Sequence, residues 1–328
     1  MNMFTKIIGV VIVISLLSAC NVNKNTAEED VRKKDIWVMQ DDDRINIGYR
    51  YNDREDIWIE FAKRGINELM QISNISTSTI QNNMTLDSFN NLIKVELLDS
   101  CSDWVGPYMV RKGLDKTTEK PQFTGGWHGI DDKDETARMI DHSVKIDGDI
   151  NNDNLQKASN VTITVKNNIQ GYNTLENKEE ILQETVIYNI DSKDIQVEVS
   201  IKALDDIVIE RYYGLQTQNS LYKIIRYEGS LDTKFNSYET NDSPLKQVDC
   251  INQFTLSSED ETHILEAYLN NEYGLGKGDY VDESCPYAFT LSYGKSYFNL
   301  VNSKDLYMKK GDEVGWKGRY TFRYSNIK

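Results

Sequence analysis

The chain has 3 histidines, and one of them, His128, stands in a glycine-dense stretch, PQFTGGWHGIDD (121–132). Trp127 precedes it, and Gly125 and Gly126 allow backbone to approach a ligand closely. Upstream, CSDWVGPYMVRKG (101–113) supplies Trp104, Tyr108 and Arg111. Trp and Tyr offer flat apolar faces with polar edges, the form that stacks on sugar rings. Arg111 is suited to pairing with the carboxylate of an acidic sugar. The same residues also read as a loop packed on the body, with Trp127 plugging the core edge and His128 bonded to backbone. A second set lies in IERYYGLQTQ (209–218), where Arg211 and Tyr213 follow the phase of Ile207 and Ile209. Arg211, Tyr213 and Gln216 near a strand end suit the lining of a cleft. The alternative is a Tyr packed over a sheet edge with Arg211 paired to a surface acid.

Two chemistries are open to these residues. In the first, aromatic faces bind a glycan or another envelope polymer and nothing reacts. Trp104, Tyr108, Trp127 and Arg211 are the ligand-binding candidates, and this reading assumes least. In the second, a uronate-containing polymer undergoes β-elimination. A neutral His128 takes the proton α to the carboxylate, and Arg111 or Gln216 neutralises that carboxylate. Tyr213 then protonates the departing glycosidic oxygen. A hydrolase with two carboxylates at a set separation cannot be singled out among 52 Asp and Glu. No nucleophile elbow, P-loop, HExxH or dinucleotide fingerprint occurs.

Strands must position these groups. DIQVEVSIKAL puts Ile195, Val197, Val199, Ile201 and Ala203 on one face and Gln196, Glu198, Ser200 and Lys202 on the other, the pattern of a half-buried antiparallel strand. NVTITVKN, TVIYNI, DIVIERYYG, LYKIIRYEG, THILEAYLN, YAFTLSYG and KSYFNLVN repeat it between Gly, Asn and Asp turns. DIWIEFAKRGINELM (56–70) is ambiguous between helix and strand and is read as strand. The expected fold is all-β, an antiparallel sandwich or jelly roll over residues 45–328. NSYETNDSP (236–244) suggests a long loop or a boundary between lobes near 236–247. His142 shares its phase with Ile140, Val144 and Ile146, and His263 with Leu265 and Ala267; both read as core histidines, His263 the more strongly, while a concave sheet face carrying His142 would also suit a substrate. In fold type and residue kinds, with His, Tyr, Arg and Gln on a sandwich, the body resembles the jelly-roll polysaccharide lyases. The resemblance implies a class of chemistry; it assigns no residue.

The leader MNMFTKIIGVVIVISLLSAC has one early Lys, an apolar run from Ile7 to Leu17 and the ending Leu17-Ser18-Ala19-Cys20. So short a run suits export and not membrane spanning, which needs about 20 apolar residues. The ending resembles the lipobox of bacterial lipoproteins. That implies a signal peptide over 1–19 and a lipidated (palmitate-bearing) Cys20 at the mature N-terminus. The protein would then sit outside the cytoplasm on a cell membrane, with the bilayer as partner. Residues 20–44, polar and charged, are expected as a flexible tether. Export leaves Cys101, Cys250 and Cys285, an odd number, with Cys250–Cys285 the first pair to test. The formal net charge of -15 opposes a phosphate backbone, so nucleic acid is not an expected partner. No cofactor is expected. IDGDINNDN spaces Asp147, Asp149, Asn151 and Asp153 like the start of a calcium loop, but Asn152 replaces the turn Gly and Ala158 the bidentate Glu, so a solvated turn is the stronger reading.

Overall fold

Alternation along the strands builds three large antiparallel sheets, beside a two-stranded ribbon of Gly129–Ile130 and Asp134–Glu135. The computed structural model describes residues 34–325 apart from 42, 100–102, 131–132, 151–153, 228–232, 235–243, 250, 271–286 and 302–303. Cys20, Cys101, Cys250 and Cys285, with the calcium-loop residues Asn151 and Asp153, lie outside the described residues. So does most of the stretch 236–247. Lys33–Lys328 form one compact unit.

The first sheet is a meander of Ile36–Gln40, Arg44–Arg50, Glu55–Arg64, Leu69–Thr79 and Val95–Asp99, completed by Leu155–Ala158, which pairs with the outer side of Ile36–Gln40. The second sheet has nine strands. At its middle, Glu313–Tyr324 pairs with His263–Asn270 on one side and Ile195–Ala203 on the other. Beyond Ile195–Ala203 come Glu180–Ile190, Val161–Gln170 and Ala137–Ile146. The third sheet centres on Ile207–Gln218, which pairs with Lys295–Val301, Leu306–Met308 and Val105–Lys112. The all-β antiparallel class is therefore what the alternating sequence pattern implies. Ile195, Val197, Val199, Ile201 and Ala203 all point into the core, and their polar neighbours point out.

The stretch 56–70 runs through most of one strand, a turn and the start of the next, and its ambiguity has a physical cause. Ile57, Ile59 and Phe61 face the main core, while Trp58 on the opposite face joins Met39, Met84 and Phe89 in a second apolar cluster. A strand covered on both sides loses the apolar–polar alternation that marks a half-exposed one. Phe89 comes from the short helix Leu86–Asn90, started by a capping box in which Thr85 and Ser88 satisfy each other's backbone N–H groups.

The expected tether, 20–44, contains structure. Ile36–Gln40 is a sheet strand with Ile36 and Val38 fully buried. The acidic QDDDR stretch forms its turn, where Asp41 Oδ1 accepts hydrogen bonds from the backbone N–H groups of Asp43 and Arg44 at 3.0 and 2.8 Å. Turn acids of this kind bond their own backbone, and composition alone reads them as solvated linker.

The second and third sheets pack face to face through aromatic residues. Trp316 Nε1 donates to Tyr212 Oη at 2.8 Å. Tyr320 Oη donates to the carbonyls of Trp104 and Gln216 at 2.9 and 3.0 Å. Tyr108 stacks on Tyr212 at 4.2 Å and donates to Glu184 Oε2 at 2.6 Å. Burial pushes the Glu184 carboxyl above the usual range.

Candidate functional site

The loop that carries His128 is held by side chains on three sides. Its turn closes through His128 N–H to the Gly125 carbonyl at 3.0 Å. Asn67, buried at the turn between Glu55–Arg64 and Leu69–Thr79, clamps it: Nδ2 donates to the carbonyls of Gly126 and His128, each at 2.9 Å. Asn67 Oδ1 accepts from the backbone N–H groups of Thr136 and Ala137 at 2.7 and 2.9 Å. Trp127, half-buried, packs over Gly65. The third support is Asp103, whose Oδ1 accepts from Trp127 N–H at 2.5 Å. Gly126 has φ of +54°, and a Cβ there would stand 2.1 Å from that same oxygen. Glycine is required at this position because the carboxylate occupies the space a side chain would fill.

The other oxygen, Asp103 Oδ2, is buried, has no hydrogen-bond donor in bonding geometry among the described residues, and faces His128 Nε2 at 3.4 Å. A shielded carboxylate behind an accessible imidazole orients the ring and favours the tautomer with its proton on Nε2, leaving Nδ1 able to take a proton. Asp103 carries no mark in the sequence pattern. Its position one residue before Trp104 gave no periodic signal, because it precedes the strand Val105–Lys112 and serves the loop from outside it.

From His128 a row of rings runs to the third sheet. Phe123 lies 5.6 Å from His128 and 5.5 Å from Tyr213; Tyr213 lies 4.7 Å from Tyr297 and 5.9 Å from Phe289. Phe123, Tyr213 and Tyr293 are half-buried, whereas Phe289 and Tyr297 form a buried floor. His128 and Tyr213, named from distant segments, are thus joined through Phe123. Arg211 is exposed, Tyr212 buried and Tyr213 half-buried, so Arg211 and Tyr213 leave their strand on the same outward side.

The phase expected from Ile207 and Ile209 does not carry through to these two residues. A bulge between Ile209 and Arg211, seen in the pairing with Val105–Lys112, adds a residue and reverses the alternation. Ile209 is buried and Arg211 exposed for that reason.

Four expected site residues lie elsewhere. Trp104 is 1% exposed and meets Tyr320 edge-on in the core. Tyr108 is enclosed between Tyr212 and Glu184. Gln216 is buried, with its amide donating to the Gly106 carbonyl. Arg111 is buried and fully engaged: Nε pairs with Glu210 at 2.9 Å and Nη1 donates to the carbonyls of Gly113, at 2.8 Å, and Asp115. A group committed in this way cannot meet a ligand without leaving an uncompensated buried partner, so these four are structural. Of the elimination set, His128 and Tyr213 share a face, while Arg111 and Gln216 do not join them.

The remaining histidines separate. His142 is exposed and lines an open cleft of about 510 Å³ with Arg44 and Met70, contrary to the core placement expected of it. His263 is half-buried, stacked on Tyr51 at 5.8 Å and hydrogen-bonded to its hydroxyl through Nδ1 at 3.1 Å; burial lowers its pKa. Asp147 is occupied in its own loop, accepting from Ser159 and Asn160 N–H and pairing with Lys34 at 3.2 Å, and Asp149 is exposed. Among the described residues no group of three or more His, Cys, Asp or Glu is placed to hold a metal ion. None of the described helices is long and apolar enough to cross a membrane.

No family model matches the chain, and no curated protein does. Among solved structures it is similar to a 4-alpha-glucanotransferase from Thermococcus litoralis, at 8% identity over 88% of this chain and 39% of that one, with TM-score 0.39. A TPR-domain containing protein from Parabacteroides distasonis ATCC 8503 shows 7% identity, coverage of 87% and 48%, and TM-score 0.38. A galactose mutarotase-like protein from Lactobacillus casei ATCC 334 shows 12% identity, coverage of 85% and 100%, and TM-score 0.35. The chain spans less than half the length of the first two.

Proposed function

We propose that this protein is a membrane-anchored, extracytoplasmic lipoprotein whose β-sandwich body binds a saccharide polymer at the face running from His128 through Phe123 to Tyr213. The observation that carries the binding reading is the continuous row of rings, spaced 5.6, 5.5 and 4.7 Å from His128 to Tyr297. Partly accessible aromatic faces over an apolar floor, edged by a few polar groups, suit the apolar face and hydroxyl rim of a sugar. The anchor rests on the leader and on Cys20. Calorimetric titration of the mature chain with a panel of neutral and acidic oligosaccharides tests the binding. Saturable heat that Tyr213→Ala removes supports this face; binding that survives the substitution places the ligand elsewhere.

A second reading, elimination from a uronate polymer, is favoured by one observation, the Asp103 carboxylate 3.4 Å behind His128. His128 would take the proton α to the carboxylate. Those electrons would form the ring double bond as the glycosidic C–O bond breaks, and the departing oxygen would be protonated by Tyr213. Arg211, outward beside Tyr213, takes the part first expected of Arg111 in facing the uronate charge. Absorbance of an unsaturated product from a polyuronate, lost in His128→Ala while binding persists, would establish it. Binding without any product leaves the first reading alone.

A further inference from the structure

The sandwich has a second outer face with its own arrangement of polar groups. Tyr212 and Trp316 meet across the interior through their hydrogen bond of 2.8 Å. Side chains alternate along a strand, so Tyr213 points out of the third sheet and Lys317 and Arg319 point out of the second, on opposite sides of the sandwich. On that opposite side the strand register aligns Asn189 with Gln196, Gln196 with Arg319, and Arg319 with Tyr268. The four form one row across four adjacent strands, at about 4.8 Å per step, close to the length of a sugar ring.

The row is chemically varied. The Arg319 guanidinium lies over the Tyr268 ring at 4.5 Å from its centre, making a flat cation–aromatic plate; Nη2 pairs with Glu266 at 3.3 Å, and the other N–H groups border the cleft, unlike those of the buried Arg111. Asn189 Oδ1 accepts from Thr162 Oγ1 at 2.8 Å and Gln196 is hydrogen-bonded to the Asp194 carboxyl, which orients both planar amides and leaves each with further donor and acceptor capacity. At the end of the same hairpin, Asp194 Oδ1 is buried and has no hydrogen-bond partner among the described residues. Burial and the neighbouring Asp191 raise the Asp194 carboxyl above its ordinary range. These groups border an open cleft of about 250 Å³. The Asp194 carboxyl already receives the Gln196 side chain, and its Oδ1 borders the cleft as a further acceptor suited to a hydroxyl.

We propose that the Asn189–Gln196–Arg319–Tyr268 row is a second saccharide subsite, for a neutral sugar unit presenting adjacent hydroxyls. The amides and guanidinium pair with the hydroxyls in the manner of a planar fork, the Tyr268–Arg319 plate supports the ring, and Asp194 Oδ1 accepts from a hydroxyl. With the Tyr213 face on the other side, the body holds polymer on two opposed surfaces. That bivalence rests on the binding reading above, whereas the subsite stands by itself. Sites on opposed faces let one body bridge two polymer strands, since an avidity gain on a single strand requires that strand to reach both faces at once.

Calorimetry with neutral hexasaccharides of glucose, xylose and mannose tests it on the mature chain. For the probe that binds, the stoichiometry is near two for the unmodified protein and near one for both Tyr213→Ala and Tyr268→Ala. Gln196→Ala, an exposed change that leaves the core untouched, weakens the second site by about tenfold. Unchanged stoichiometry and affinity in Tyr268→Ala and Gln196→Ala overturn the second subsite while leaving the first. Loss of all binding in Tyr268→Ala, with none lost in Tyr213→Ala, overturns the Tyr213 face and retains the row. If no probe binds the unmodified protein, the subsite is overturned.

Discussion

Asp103 and His128 are arranged as a shielded acid behind an accessible base: Oδ2 and Nε2 are 3.4 Å apart, with the carboxylate side chain 1% exposed and the imidazole 43% exposed. The same Asp103 also holds the Trp127 N–H and fills the space beside Gly126.

Gly126→Ala is therefore expected to destabilise the fold by about 2–4 kcal/mol, from a left-handed backbone and the collision with Asp103 together. Urea unfolding monitored by tryptophan fluorescence measures it. A loss below about 0.5 kcal/mol, the range of an ordinary surface change, would show that the turn does not depend on the carboxylate.

Tyr213→Ala and His128→Ala separate stacking from polar contact. Tyr213→Ala is expected to weaken saccharide binding by about 1–3 kcal/mol, taking base-on-aromatic stacking as a guide. His128→Ala costs less affinity and leaves stability within about 0.5 kcal/mol of the parent, whereas Tyr213→Ala also loses about 1–2 kcal/mol of stability because its ring packs on Phe289 and Tyr297. Equal collapse of binding and stability in both would make the ring row a packing element only.

Glu184 predicts a pH dependence of stability. Its folded-state carboxyl is raised by burial, so the folded chain holds this proton more tightly than the unfolded chain. The group's contribution is fully present below the ordinary carboxylate pKa and is lost as pH rises through the raised value. Glu184→Gln keeps an acceptor for Tyr108 and removes the ionisation. Relative to the parent, its stability should improve from about pH 5 to pH 8, read from denaturation midpoints at fixed ionic strength. A constant difference across that range contradicts the assignment.

Cys20→Ala is expected to move the protein from the membrane pellet to the soluble exported fraction, because a lipid chain supplies anchoring that no described helix can. Retention of the variant on membranes after a high-salt wash would disprove lipidation as the anchor.

The fold class was legible because strands such as Ile195–Ala203 keep one wet face and one dry face, and period two survives in their residues. Trp58 shows where that signal fades, since both faces of its strand are covered. The site was legible in part. His128 and Tyr213, singled out by residue type, both meet Phe123, whereas Trp127 packs over Gly65. Trp104, Tyr108 and Gln216 face inward, and an aromatic or amide in or beside a strand carries no mark in its own type of which way it faces. Tyr108 and Gln216 turn inward to satisfy Glu184 and the Gly106 carbonyl. Arg111 is matched by Glu210, a partner 99 residues away along the chain, and such pairing cannot be read from local spacing. The bulge before Arg211 likewise leaves no trace in the residue pattern.

The strand Ile36–Gln40 lies between two neighbours, in register with Arg44–Arg50 on one side and with Leu155–Ala158 on the other. Any pull transmitted along the chain from residues before 34 enters the body at this strand. Because it is flanked on both edges, the load spreads at once into two ladders, one of them closed by a segment more than a hundred residues away in sequence. A strand at the sheet's rim could be peeled from a single partner. Here the attachment point is stitched from both sides, so the body should resist mechanical extraction far better than the length of five residues suggests.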